Sequence, residues 1–159
     1  MKKLSQAQPF NEAPNLPRIL YVEDNDDNWR VIQLRLSRSY SLVRAATDRE
    51  ACEILSQPGK LYAILMDIEL SGSQLNGISL TKLIRGTLPA ASLPPYARRV
   101  PVSKVPVLFV TAYGNAYRHA DLIAAGADDV LAKPVDFTRL NLALANLYIR
   151  RVLVRGTSA

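Results

Sequence analysis

Five times between Arg18 and the C-terminus, a short apolar run that suits a strand is followed by a longer amphipathic run that suits a helix. "RILYVED" leads into "DNWRVIQLRLSRS", "SLVRAA" into "DREACEILSQ", "YAILMD" into "GISLTKLIRG", "VPVLFVTA" into "NAYRHADLIAAG", and "DDVLAKP" into "DFTRLNLALANLYIRRVLV". Runs such as "AILM" and "VLFV" are apolar without alternation, which implies burial on both faces, and strict strand-helix alternation builds a parallel sheet covered on both sides. The class is a doubly wound α/β domain. Thr47 and Glu50 stand as a capping box before the second helix, and Gly86 and Gly126 fall where the third and fourth helices should end.

At 159 residues the chain has the size of one domain, which buries roughly 70% of its unfolded surface and holds a core without staples. The single cysteine, Cys52 in "REACEIL", reads as a small core side chain. No apolar run reaches the ~18 residues of a membrane span, and "MKKLSQAQPF" has no apolar segment behind its basic start, so a cytoplasmic, soluble protein with no membrane contact is expected. Two clusters more than account for the net charge of +6: Arg98, Arg99 and Lys104, and then Arg139, Arg150, Arg151 and Arg155. With no zinc spacing and no aromatic-basic interleaving, nucleic acid is not the expected partner. Residues 1–17 are polar and aperiodic and read as a flexible leader, residues 18–152 as the domain, and residues 153–159 as a tail.

In doubly wound sheets ligands bind beyond the carboxyl ends of the strands, where strand order reverses. The strand ends here carry chemistry. The first strand stops at Glu23-Asp24, the third at Asp67, the fourth at Thr111 and the fifth at Lys133, while the second ends in alanines. Asp26 or Asp27 suits the start of the first helix, where its dipole favours an acid. Three carboxylates crowded together repel one another unless a divalent cation sits among them, and an oxygen-only cluster suits Mg²⁺. A carboxylate so placed can attack a phosphoryl group, with Lys133 and the Thr111 hydroxyl on its other oxygens. Asp67, central in the order, is the natural nucleophile.

The blocks "ILYVEDN", "AILMDIELSG", "VLFVTAYG" and "GADDVLAKP" resemble, in residues and in spacing, the signatures of the response-regulator receiver domain, the CheY-like module of two-component signalling. The resemblance implies a flavodoxin-like (βα)5 fold with a five-stranded parallel sheet in the order 2-1-3-4-5. It implies Glu23 and Asp24 as metal ligands together with Asp67 and the backbone carbonyl of Glu69. Asp67 would be the phosphoacceptor, Thr111 the switch hydroxyl and Lys133 the phosphate-contacting amine, with a Lys133-Pro134 bond that is commonly cis. On this reading the chain is a stand-alone receiver, a signalling switch rather than a turnover enzyme. It takes its phosphoryl group from a sensor histidine kinase or a histidine phosphotransfer protein, catalyses its own phosphorylation and hydrolysis, and acts on a downstream protein.

The sequence also departs from this family. Val130 stands where an aromatic usually reports the state of the site, leaving Tyr113 and Tyr117 as substitute reporters; the loop after Asp67 places Ser71 where a proline is usual and delays its glycine, Gly77, by two residues. Glu69 lies where the family tunes phosphoryl lifetime. Residues 87–106, with five prolines and three cations, form an unusually long connection that reads as stiff and extended, either a surface loop or a docking surface. On the last helix, Leu140, Ala143, Leu144 and Leu147 make a core stripe. Leu142, Ala145, Ile149 and Leu153 make a second stripe, suited to a homodimer, a cover from the leader, or burial. Two rival readings are a receiver-shaped scaffold that takes no phosphate and a haloacid-dehalogenase-type phosphohydrolase. The latter wants Asp-x-Asp on the first strand, where this chain has Asp67-Ile68-Glu69 on the third.

Overall fold

A computed structural model describes residues 15–112 and 116–156. Five strands, β1 (Arg18–Val22), β2 (Ser41–Ala45), β3 (Ala63–Met66), β4 (Val107–Thr111) and β5 (Asp129–Ala132), alternate with five helices, α1 (Asp26–Leu36), α2 (Asp48–Ser56), α3 (Gly77–Arg85), α4 (His119–Ala124) and α5 (Phe137–Gly156). All pairings are parallel, in the order β2-β1-β3-β4-β5. The chain thus reverses direction of travel across the sheet between β1 and β3.

The two faces of the sheet explain the unbroken apolar runs. Leu20, Val22, Ile64, Met66 and Phe109 meet Cys52, Leu80 and Leu122 from α2, α3 and α4. Ile19, Tyr21, Leu65, Leu108 and Val110 meet Ile32 and Leu36 of α1 and Leu140, Leu144 and Leu147 of α5. Side chains alternate along a strand, so burial of both faces, as in β3, leaves no polar position within it.

Local chemistry sets the helix ends. Asn25 caps α1 by accepting from the Asn28 amide, with Asp26 and Asp27 in the first turn. Thr47 caps α2, while Glu50 reaches the amide of Ala46, one residue earlier than a standard capping box. Gly86 ends α3 at φ 76° in the left-handed region that glycine occupies without penalty. The helix after β4 is shorter than its pattern suggests and starts only at His119, behind Arg118, which makes no side-chain cap bond.

Two expectations need correction. Residues 153–156 continue α5 and are helix rather than tail. Residues 87–106 are not an extended strap: they fold into two 3₁₀ turns, Ala90–Ser92 and Pro95–Ala97, with Ala97 buried and Leu88, Leu93, Tyr96 and Val100 packed on the core. Proline fixes a φ that suits the first position of such turns, so prolines spaced by apolar residues fold the segment back on itself. Arg98 and Arg99 are left exposed.

Candidate functional site

Asp67 follows β3 directly, and its amide bonds the Val22 carbonyl of β1 at 3.0 Å, which fixes it at the point where strand order reverses. The residue is only 6% exposed. Oδ1 accepts from the Ile68 amide at 2.8 Å and Oδ2 from Lys133 Nζ at 3.0 Å. The following loop turns back beneath it: the Gly77 amide bonds the Ile68 carbonyl at 2.8 Å, and a Cβ at Gly77 would lie 2.0 Å from the Asp67 carbonyl oxygen. Only glycine permits that approach.

Glu23 is fully buried, and every oxygen of its carboxylate is engaged. Oε2 accepts from Lys133 Nζ at 2.5 Å and from the Tyr21 hydroxyl at 2.8 Å, and Oε1 accepts from the Asn25 amide at 3.0 Å. Asp24 is half-buried and accepts from the Ser71 amide at 3.0 Å. Beneath both, Arg44 of β2 donates to the carbonyls of Glu23 and Asp24, each at 3.0 Å, and pairs with Asp26 at 2.7 Å. Thr111 is fully buried at the end of β4; its carbonyl accepts the Lys133 amide at 2.9 Å, which seats the lysine beside it. The Lys133-Pro134 bond is cis.

The electrostatics follow from crowding and burial. Burial pushes the Asp67 carboxyl up to about 6, against the pull of the neighbouring Lys133 ammonium. Burial also raises Asp24, but the hydrogen bond it accepts from Ser71 outweighs that and holds it below the usual carboxylate range. Burial would depress Lys133; its contacts with Glu23 and Asp67 instead raise it above the ordinary lysine value. Burial and then Glu23 hold the Tyr21 phenol well above its ordinary range. Carboxylate oxygens of Glu23, Asp24 and Asp67 lie within 4.8 Å of one another, facing one ammonium. That excess of buried negative charge on oxygen-only donors fits a hard divalent cation.

At the rim, the Tyr117 hydroxyl bonds Glu69 Oε1 at 2.7 Å, which ties the segment after β4 to the loop after β3. Tyr113 lies outside the described residues. Val130 is partly buried against the core, and its carbonyl accepts from Arg139 at 3.0 Å. His119 is exposed at the start of α4, and burial pushes the Cys52 thiol up to about 11, in keeping with a core side chain.

A family model described as the response regulator receiver domain matches residues 19–145. The chain belongs to the receiver domains of response regulators, the signalling modules of two-component systems. It is 29% identical over 118 residues to the uncharacterized transcriptional regulatory protein YrkP of Bacillus subtilis (strain 168), covering 74% of this chain and 43% of that protein. It is also 29% identical over 136 residues to protein PetR of Rhodobacter capsulatus, covering 86% and 50%. The chain therefore spans about half the length of these curated relatives. Among solved structures, the receiver domain of NtrX from Brucella abortus aligns with a TM-score of 0.65 at 25% identity, covering 81% of this chain and 96% of that one. The fold also matches a two-component response regulator from Clostridium difficile, with a TM-score of 0.69 at 21% identity over 85% and 98% of the two chains. Among the described residues no helix is long and apolar enough to cross a membrane.

Three contributors escaped the sequence reading. Tyr21 looked like one more apolar strand residue, yet its hydroxyl holds Glu23. Arg44 is the lone charge in "SLVRAA", and a charge inside a half-buried strand was the signal that β2 also serves the site. Asp48, 2% exposed, accepts from the amides of Gln74 and Leu75 and from the Tyr96 hydroxyl, while its own amide bonds Ser73 Oγ at 3.0 Å. Two of the departures noted in the sequence, the longer loop after β3 and the long segment 87–106, are thus fastened to one buried carboxylate.

Proposed function

We propose that this receiver accepts a phosphoryl group on Asp67 from the phosphohistidine of a sensor kinase or phosphotransfer protein, and that the modified domain switches a protein-binding surface. The supporting observation is the convergence of Glu23, Asp24 and Asp67 with Lys133 at one sheet edge. Glu23, Asp24, Asp67 and the Glu69 carbonyl would hold Mg²⁺, which when bound neutralises carboxylate and phosphoryl oxygens. An Asp67 oxygen attacks phosphorus, the O–P bond forms as the P–N bond breaks, and the imidazole leaves with the electron pair. Lys133, already on Asp67 Oδ2, pairs with a phosphoryl oxygen, and the buried Thr111 hydroxyl donates to another. Drawing these groups inward favours one of two surface conformations.

With Val130 in the fifth strand, the readout runs instead through the rim, where Tyr117 on Glu69 senses the charge added to Asp67. Glu69 tunes how long the phosphoryl group survives; an unchanged dephosphorylation half-life in Glu69→Ala would remove that part. The second apolar stripe of α5 is exposed, with Leu142 at 60%, Ile149 at 52% and Leu153 at 64%, and it supports a contact with a second copy. Sedimentation that shows a monomer with and without phosphate would exclude that contact.

Incubation with Mg²⁺ and a small acyl-phosphate donor, read by intact mass, tests the reading. One phosphoryl unit is gained by wild type and none by Asp67→Ala. Equal masses for both would favour a receiver-shaped scaffold that takes no phosphate.

A further inference from the structure

The opposite edge of the sheet, where strands begin, is open and basic. A groove of about 820 Å³ lies between the end of α2, the start of β1, the segment before β4 and the last turns of α5. Arg18, Lys60, Lys104, Arg150, Arg151 and Arg155 line it, drawn from four parts of the chain that the fold brings together. Its floor is aliphatic, with Leu55, Leu61, Ile84 and Leu147. The one acid in the lining, Asp128, is already held by Arg85 at 3.1 Å and by the Val107 amide at 2.9 Å. Arg151 bonds the Tyr62 carbonyl, but among the described residues Arg18, Lys60, Lys104, Arg150 and Arg155 form no ion pair.

Cations at helix C-termini commonly offset the helix dipole, and Arg155 in the last turn of α5 is so placed. That accounts for one charge. Arg18 opens a strand, Lys60 precedes one, and Lys104 lies in the connection before β4, where no helix end calls for them.

We infer that this groove is a docking site for an acidic peptide segment of a partner protein that carries aliphatic side chains. The cations select the negative charge and the leucine-rich floor takes the apolar anchors. The lining contains no aromatic ring, so it lacks the stacking platform that single-stranded nucleic acid uses. The chain's own leader carries Lys2 and Lys3 against Glu12 and so has the wrong sign, and a second copy would bring the same basic face.

Fluorescence anisotropy on the full chain tests this with a fluorescein-labelled peptide in which glutamates alternate with leucines. Saturable binding that weakens with salt is expected, with an all-glutamate peptide binding roughly tenfold more weakly for want of anchors. Arg150→Glu combined with Arg155→Glu should weaken the alternating peptide by about tenfold or more, and Lys60→Glu with Lys104→Glu should do the same from the other wall. Acyl-phosphate uptake stays normal in both variants, since these residues are remote from Asp67. No binding of the alternating peptide, unchanged affinity in either folded variant, or tighter binding of an oligonucleotide of equal charge overturns the inference.

Discussion

The two edges of this one sheet carry opposite charge and treat it in opposite ways. At the carboxyl edge, Glu23 and Asp67 are buried and both bond the partly buried Lys133, so each charge depends on the next. At the amino edge, Lys60, Lys104, Arg150 and Arg155 are exposed and act independently. Low dielectric makes the first set strongly coupled, and water screens the second. Changes at the acid edge should therefore be large and non-additive, and changes at the basic edge small and additive.

Lys133→Ala should show the largest effect, since it strips the ammonium from both Glu23 and Asp67. A loss of roughly 3 kcal/mol in urea unfolding is expected, partly restored by Mg²⁺, together with loss of phosphoryl uptake. A loss near zero would mean that the carboxylates are not desolvated. Asp48→Ala should come next, at about 2 kcal/mol, because the Gln74 and Leu75 amides and Tyr96 lose their common acceptor. Proteolysis within residues 87–106 should rise with it, and unaltered cleavage would show that the segment is held by its apolar contacts alone.

A pH series sharpens the contrast. The Asp67 carboxyl is raised from 3.8 to about 6, so in that window the folded state binds more protons than the unfolded one. Stability must then fall as pH rises through the window, by about 1–3 kcal/mol. Asp24, held low, acts with the opposite sign and only below its ordinary value. Wild type should therefore lose stability relative to Asp67→Asn between pH 3.8 and about 6, and saturating Mg²⁺ should abolish the difference. A flat difference without metal would contradict the burial of this charge. The smallest effect belongs to the other edge: Arg150→Glu should change stability by no more than about 0.5 kcal/mol, because an exposed charge gives up little on substitution.

The same contrast explains what could be read from sequence. Sheet, helix order and acid edge were legible because burial on both faces of β1 and β3 leaves apolar runs that end abruptly at Glu23 and Asp67. Cys52 and the core stripe of Leu140, Leu144 and Leu147 were legible by the same periodicity. Tyr21 and Arg44 were hidden because their polar ends serve the site from positions whose bodies are core or strand. Tyr96 and Asp48 are 48 residues apart, and no local pattern announces a bond across that distance. The basic groove was illegible for the same reason: its cations are scattered in sequence, and the fold joins Arg18 and Lys60 to some members of the two charge clusters while leaving Arg98, Arg99 and Arg139 elsewhere.

Everything at the acid edge turns on whether the Asp67 carboxylate itself takes the phosphoryl group. Treating the Mg²⁺- and acyl-phosphate-loaded protein with borohydride, then sequencing its peptides by mass spectrometry, reads this directly, because an acyl phosphate is reduced to an alcohol while a free carboxylate is not. Homoserine at position 67, and nowhere else, is the predicted result. An intact aspartate there, with the reduction product at Asp24 or Glu23 or at no acid, would contradict the account.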